Sequence, residues 1–176
     1  MASKPAQPED GRQANTVELV RRAQRGDSLA MDELLGLLAP YVGRLCAPIA
    51  LQDGADATQE ALVAVFRGIR RLREPAALFG WVRVIAVREA VRVAKRNQRA
   101  TVAELSEVPA AGNAQLAVDI RDVLNRLSPE HRAVLVLRDL EGLDEESVSK
   151  LLVVPVGTVR SRLFRARRGF RKAWGR

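Results

Sequence analysis

Residues 153–168 read VVPVGTVRSRLFRARR. Val159, Leu163 and Ala166, continued by Phe170, recur at helical spacing and make one apolar stripe. Thr158, Arg160, Ser161, Phe164, Arg165 and Arg168 fall away from it. The pattern predicts a helix buried along the stripe and open on the other side. A phenylalanine set outward among arginines is odd for a solvated face. It suits a surface that enters a DNA groove, where the ring packs on a base methyl or a sugar and guanidinium groups meet guanine edges or phosphates. Arg162 and Arg167 flank the stripe, where a local salt bridge is the competing explanation.

Charge concentrates on the same element. From residue 156 onward the basic side chains are Arg160, Arg162, Arg165, Arg167, Arg168, Arg171, Lys172 and Arg176, with no acid among them, and they account for the whole formal net charge of +8. Such concentration points to a polyanionic partner; a solvated helix face or a helix lying on a membrane are the blander readings of charge by itself.

Upstream of this helix the punctuation is regular. Asp144 caps a short helix through Leu152, and Val153-Val154-Pro155 turns the chain. Before that, Glu141-Gly142-Leu143 makes another turn. Ser128-Pro129-Glu130 supplies an N-cap, a first-turn proline and an early acid for a helix whose Val134, Leu135 and Leu137 continue the core to Leu140. Ile120, Val123, Leu124 and Leu127 line the helix before it. A short helix, a three-residue turn and a longer basic helix is the helix-turn-helix plan, whose second helix lies in the major groove.

The first half is helical as well. Asn15 or Thr16 caps a helix ending at Gly26, and Asp27 caps one carrying Leu34, Leu35, Leu37 and Leu38. Pro40 is expected to start a third segment. Asp53-Gly54-Ala55-Asp56 opens a helix with Leu62, Val65, Phe66 and Ile69 on its inner face and Asp56, Gln59, Glu60, Val63, Arg67 and Arg70 on its outer one. Glu74-Pro75 breaks it. A helix from Leu78 to about Arg96 has a core stripe of Val82, Ile85, Ala86 and Val93, and a basic stripe of Arg88, Arg92, Lys95 and Arg99 with Glu89 its only acid. Residues 100–116 hold Pro, Gly and small side chains without a sustained period and read as a linker. The expectation is therefore an all-α chain of two small helical domains: a disordered tail over 1–14, a bundle over 15–99, a flexible linker over 100–116 and a helix-turn-helix domain over 117–176.

Several classes fall away. No apolar run approaches a membrane span, and the start carries no signal-peptide core. Cys46, the one cysteine, cannot form an internal disulfide and is expected as a buried, inert thiol. With His131 the one histidine, no zinc site is expected, and no nucleophile, general base or other metal cluster is visible. A non-enzyme without cofactor is expected.

These residues resemble a known family. Residues 127–135, LSPEHRAVL, with 140–143, LEGL, look like the start of sigma region 4, and residues 156–167, VGTVRSRLFRAR, look like its recognition helix. Residues 56–61, DATQEA, with Phe66-Arg67, resemble region 2.2. Phe79, Trp81, Ile85 and Ala86 resemble regions 2.3 and 2.4, and residues 19–23, LVRRA, with Gly26-Asp27, resemble region 2.1. The chain thus resembles the extracytoplasmic-function (ECF, group IV) sigma factors of the sigma-70 family. The resemblance implies a cytoplasmic bacterial protein, monomeric when free, not bound to membrane, that binds core RNA polymerase and reads promoter DNA. It implies that Asp56, Gln59, Glu60, Val63 and Arg67 dock on the clamp helices of the largest subunit. Ala77, Leu78, Phe79, Trp81, Arg83, Arg88 and Arg92 would serve the −10 element, where capture of a flipped base must return the few kcal/mol that unstacking costs. Thr158, Arg160, Ser161, Phe164, Arg165 and Arg168 would read the −35 element. An anti-sigma factor is a further implied partner.

The chain departs from the family pattern in places. Arg88 stands where many members carry Asn, Val153 replaces a common turn Gly, Ser149 a common packed Ala, and Pro155 the usual Ser cap. A slightly strained turn is expected at Val153. Three other functions are weighed on the residues themselves: a helix-turn-helix regulator working without polymerase, a membrane-bound interaction protein, and a recombinase using Ser28, a residue better explained as part of the cap at Asp27.

Overall fold

Capping side chains mark out the helices. In the computed structural model, which describes residues 8–101 and 114–174, α1 covers Pro8–Gln24 and α2 covers Ser28–Ala50. Asp27 stands between them. It accepts the Ala30 N–H at 3.0 Å and the Arg22 guanidinium at 2.7 Å, and these hold its carboxyl below the usual range. α3 covers Gly54–Gly68 and α4 covers Leu78–Thr101, with short 3-10 turns at Leu51–Asp53, Ile69–Arg71 and Pro75–Ala77. Gln24 spans from α1 to the end of α3, donating to the carbonyls of Ile69 at 2.9 Å and Leu72 at 2.7 Å. α2 packs on α1, α3 and α4, and its row Ala30, Leu34, Leu38, Val42, Leu45 and Ile49 is buried.

Several expectations for this bundle are corrected. α1 begins at Pro8, inside the stretch read as a tail; Pro at the start followed by Glu9 and Asp10 are themselves helix-start signals. Residues 1–7 lie outside the described residues. Pro40 begins no new segment but sits within α2, as does Pro48. The buried row runs in register through both, so packing offsets the lost N–H groups. α2 and the elements after it are long and apolar enough to cross a membrane by length and composition, contrary to the reading of the sequence; the inward row makes α2 a core helix of the bundle. The inner row of α3 is Ala57, Ala61 and Val65, continued by Ile69 just past its end; the two alanines let helices approach closely, while Phe66 is 54% exposed and Leu62 half-buried. Ile85 is half-buried, and the α4 core is Leu78, Val82, Ala86, Ala90 and Val93.

The second unit holds α5 (Ala114–Asn125), α6 (Pro129–Leu135), α7 (Glu145–Leu152) and α8 (Val156–Trp174). Ser128 caps α6 by accepting the His131 N–H, and Asp144 caps α7 by accepting the Ser147 N–H at 2.7 Å. α6 runs into a π-type turn at Val136–Leu140, whose extra residue rotates Leu140 outward rather than into the core expected for it. The linker expected over 100–116 falls at 102–113 outside the described residues; its first two positions end α4 and its last three begin α5.

The two units touch. α6 packs against α2 and α4, and α7 against α4. Arg132 is the buried joint, 2% exposed. It donates to the carbonyls of Leu127 at 2.9 Å and Leu124 at 3.2 Å, closing α5, and to Ile49 of α2 at 2.7 Å. Burial, opposed by the charges of Glu130 and Asp53, pulls its guanidinium down to about 10, so it is charged at neutral pH.

Candidate nucleic-acid interface

The terminal helix is presented as its periodicity demands. Val159, Leu163 and Ala166 are buried, Phe170 is half-buried, and Arg160, Ser161, Phe164, Arg165 and Arg168 are exposed, with Thr158 half-buried. The outward side divides in two. Arg160, Phe164 and Arg167 border an apolar hollow of about 720 Å³ with Ile120, Leu124, Leu140 and Leu163. Phe164, 62% exposed, forms its lip. Arg160 pairs with Glu145 at 2.6 Å and Arg167 with Asp139 at 2.5 Å, so Arg167 makes the local salt bridge considered for it. Ser161, Arg165 and Arg168 lie further round, and among the described residues no acid pairs with either arginine. Burial, with the charges of Arg162 and Arg165, holds His131 below its ordinary value and therefore neutral at pH 7.

The turn that aims this helix is strained at one residue. Val153 adopts the left-handed conformation with φ 55°, unfavourable for a β-branched side chain. Ser149 steadies it: its hydroxyl donates to the Val154 carbonyl at 2.6 Å, and the Val154 N–H returns a bond to the Ser149 carbonyl at 3.1 Å. Gly142, at φ 67°, makes the preceding turn without that cost.

The residues expected at the −10 element are scattered. Ala77 is exposed, but Leu78 is 1% exposed and belongs to the core; its spacing from Val82 and Ala86 puts it on the inward row, which removes it from any contact surface in this structure. Phe79 meets Tyr41 edge to face, ring centroids 5.4 Å apart. Trp81 is half-buried over Gly68, where a Cβ would come within 3.0 Å of the indole. Arg83 lies 3.7 Å from Glu141, and Arg88 donates to the Leu151 carbonyl at 3.3 Å, so both face the second unit. Arg92 turns away from them, to Glu89 at 2.5 Å and to Glu60.

The five positions expected to meet polymerase are brought together. Asp56, Gln59, Glu60, Val63 and Arg67 line a hollow of about 550 Å³ on α3, edged by Arg71, Glu89 and Arg92. Arg96 reaches Glu60 and Asp56, each at 2.7 Å, and its hydrogen bond holds the Glu60 carboxyl below the usual range. Val63 and Gln59 stay exposed beside this network.

Four residues given no functional role by the sequence are candidates in the structure: Tyr41, Arg44, Arg132 and Glu141. Tyr41 and Arg44 are one turn apart on α2, with the guanidinium 5.5 Å from the ring centroid, a spacing readable in the sequence. Nothing local marks Arg132 or Glu141, whose partners are distant in the chain.

The family model for Sigma-70, region 4 matches residues 117–168. The RNA polymerase sigma-H factor of Pseudomonas aeruginosa is 31% identical, over 89% of this chain and 92% of that protein. The ECF RNA polymerase sigma-E factor of Escherichia coli (strain K12) is 31% identical over 85% of this chain and 88% of its own length. The ECF RNA polymerase sigma factor SigE of Mycolicibacterium smegmatis is 34% identical over 83% of this chain, which spans 63% of that longer relative. Among solved structures, the sigma factor RpoE in complex with the anti-sigma factor NepR from Bartonella quintana superposes with a TM-score of 0.62 at 19% identity, covering 81% of this chain and 94% of that one.

Proposed function

The chain belongs to the ECF RNA polymerase sigma factors, and from that membership we propose which of its residues meet polymerase and which meet the promoter. Members of this family direct transcription initiation by RNA polymerase, and a stand-alone regulator is not favoured when the relatives match across both units. In our reading α8 lies in the major groove of the −35 element. Arg165 and Arg168 meet bases or phosphates directly, with Ser161 beside them. Arg160, Phe164 and Thr158 work at the groove edge. The hollow on α3 takes the clamp helices, with Val63 and Gln59 as its accessible centre. Phe79, Trp81, Arg83 and Arg88 attend the −10 element, and Arg92 acts by positioning Glu60. Two modest DNA contacts on one rigid enzyme gain from effective concentration. No bond is made or broken by the chain itself, and its place is the bacterial cytoplasm. An anti-sigma partner is suggested by the complex of the similar RpoE with its anti-sigma factor NepR.

The observation that carries this reading is the outward set of α8: Arg165 and Arg168, without acidic partners among the described residues, on a helix whose opposite side is buried. Transcription in vitro with core polymerase on a library of genomic templates tests it. Promoter-specific transcripts dependent on this chain are expected; their absence with active core enzyme would remove the reading. Val63→Glu is expected to lower association with core polymerase at least tenfold, because it places a charge in an apolar contact. Wild-type binding in a native gel would clear α3 of the role.

A further inference from the structure

Away from α8 and the network on α3, a second convergence of charge lies where the two units meet. Glu141, on the turn before α7, has a side chain only 10% exposed, and its carboxylate is reached entirely from the other unit. Arg44 of α2 donates to Oε1 at 3.1 Å, the Tyr41 hydroxyl donates to Oε2 at 3.2 Å, and Arg83 of α4 stands 3.7 Å from Oε2. Burial and the charge of Glu141 push the Tyr41 phenol up to about 12, so it stays a donor at neutral pH. Three donors from two helices thus close on the two oxygens of one carboxylate. A phosphodiester offers the same pair of anionic oxygens, and guanidinium groups pair with either anion in the same way. The ring of Phe79 leans on Tyr41, so the donors adjoin an exposed aromatic of the kind on which a base stacks. A little along α4, Arg88 is occupied by the Leu151 carbonyl of α7.

We propose that Tyr41, Arg44 and Arg83 form a binding site for a backbone phosphate of single-stranded DNA, and that Glu141 fills it as an internal competitor. The proposal rests on the reading of the first unit as the −10 reader. The packed arrangement of the units and the strand-bound one are then alternatives at a single anion site. Exchange is mild, because one charge-assisted set of bonds replaces another, and DNA wins where other contacts hold it near.

The test uses the full chain, a fluorescent single-stranded oligothymidylate and a pair of spin labels, one in each unit. Glu141→Ala is expected to tighten oligonucleotide binding by about three- to tenfold and to steepen its salt dependence by about one phosphate contact. The same change placed on a chain carrying Arg44→Ala and Arg83→Ala should gain nothing. With the wild-type chain, the oligonucleotide should lengthen the inter-label distance, whereas its uncharged methylphosphonate counterpart should not. The wild-type arm needs no variant at Glu141 to fold. Unchanged affinity in Glu141→Ala, an equal gain without the two arginines, or an inter-label distance indifferent to the phosphate charge would each overturn the proposal. Promoter-directed transcription by the wild-type chain with core polymerase is read separately. Its absence would remove the sigma-factor role and leave the phosphate competition standing on its own measurements.

Discussion

The two long basic helices of this molecule put their arginines to opposite uses. On α4, Arg83 faces Glu141, Arg88 holds a backbone carbonyl, Arg92 bridges Glu60 and Glu89, and Arg96 binds Glu60 and Asp56. On α8, Arg160 and Arg167 are paired at the edge of a hollow, while Arg165 and Arg168 have no acidic partner among the described residues. A basic stripe in a sequence is therefore not yet a basic surface. What decides is whether a neighbouring helix supplies the counter-charge. α3 carries Asp56 and Glu60 toward α4, and among the described residues nothing comparable faces the far side of α8.

Substitutions can break this contrast. The largest effect is expected at Arg132, the arginine most fully engaged by its own protein. Arg132→Met removes the guanidinium donor from three carbonyls, of which Leu124 keeps the Leu127 N–H, and should cost roughly 2–4 kcal/mol of stability. Thermal and urea unfolding followed by circular dichroism would measure it; a loss below about 0.5 kcal/mol would mean that water replaces the guanidinium at no cost. Arg165→Ala should do the reverse. Promoter binding by the holoenzyme falls by about 1–3 kcal/mol if Arg165 pairs with a base, with unfolding unmoved. An unchanged footprint at the upstream element would count against that role. Arg160→Ala sharpens the comparison, because Glu145 already occupies the guanidinium: its effect on promoter binding should stay under about 1 kcal/mol, as for an exposed ion pair. The smallest effect belongs to the turn that aims α8. Val153→Gly relieves a left-handed valine at some cost in chain entropy and should stabilise by roughly 0.5–1 kcal/mol. A lower midpoint in urea would show that the 75% exposed valine is held by contacts instead.

What could be read in advance follows the range of the forces involved. Asp27, Ser128 and Asp144 satisfy backbone donors two or three residues away, so their caps are written locally and occur where the sequence places them. The stripe Val159, Leu163 and Ala166 depends on helical period alone and could be read in the same way. Pro40 was misread because the local rule lost to a buried row continuing through it. Phe66 is expected inside because a large apolar side chain looks like core, and Leu78 is expected at the −10 element because the family resemblance sets it there. In fact small alanines let α3 approach its neighbours, and the first residue of α4 turns inward. The grouping of Asp56, Gln59, Glu60, Val63 and Arg67 needs only one helix and was legible. The convergence of Tyr41, Arg44 and Arg83 on Glu141 needs the two units to meet, which no spacing in the chain announces.

Cys46 carries a last consequence. Its thiol is wholly buried, donates to the Ala86 carbonyl at 3.6 Å and is pushed up to about 11 by burial. Almost no thiolate exists at neutral pH, so peroxides and alkylating reagents find no nucleophile while the bundle is closed. Labelling of this sulfur can proceed only as fast as the first unit opens, which makes it a native clock for the breathing of that core, already wired into the unmodified chain.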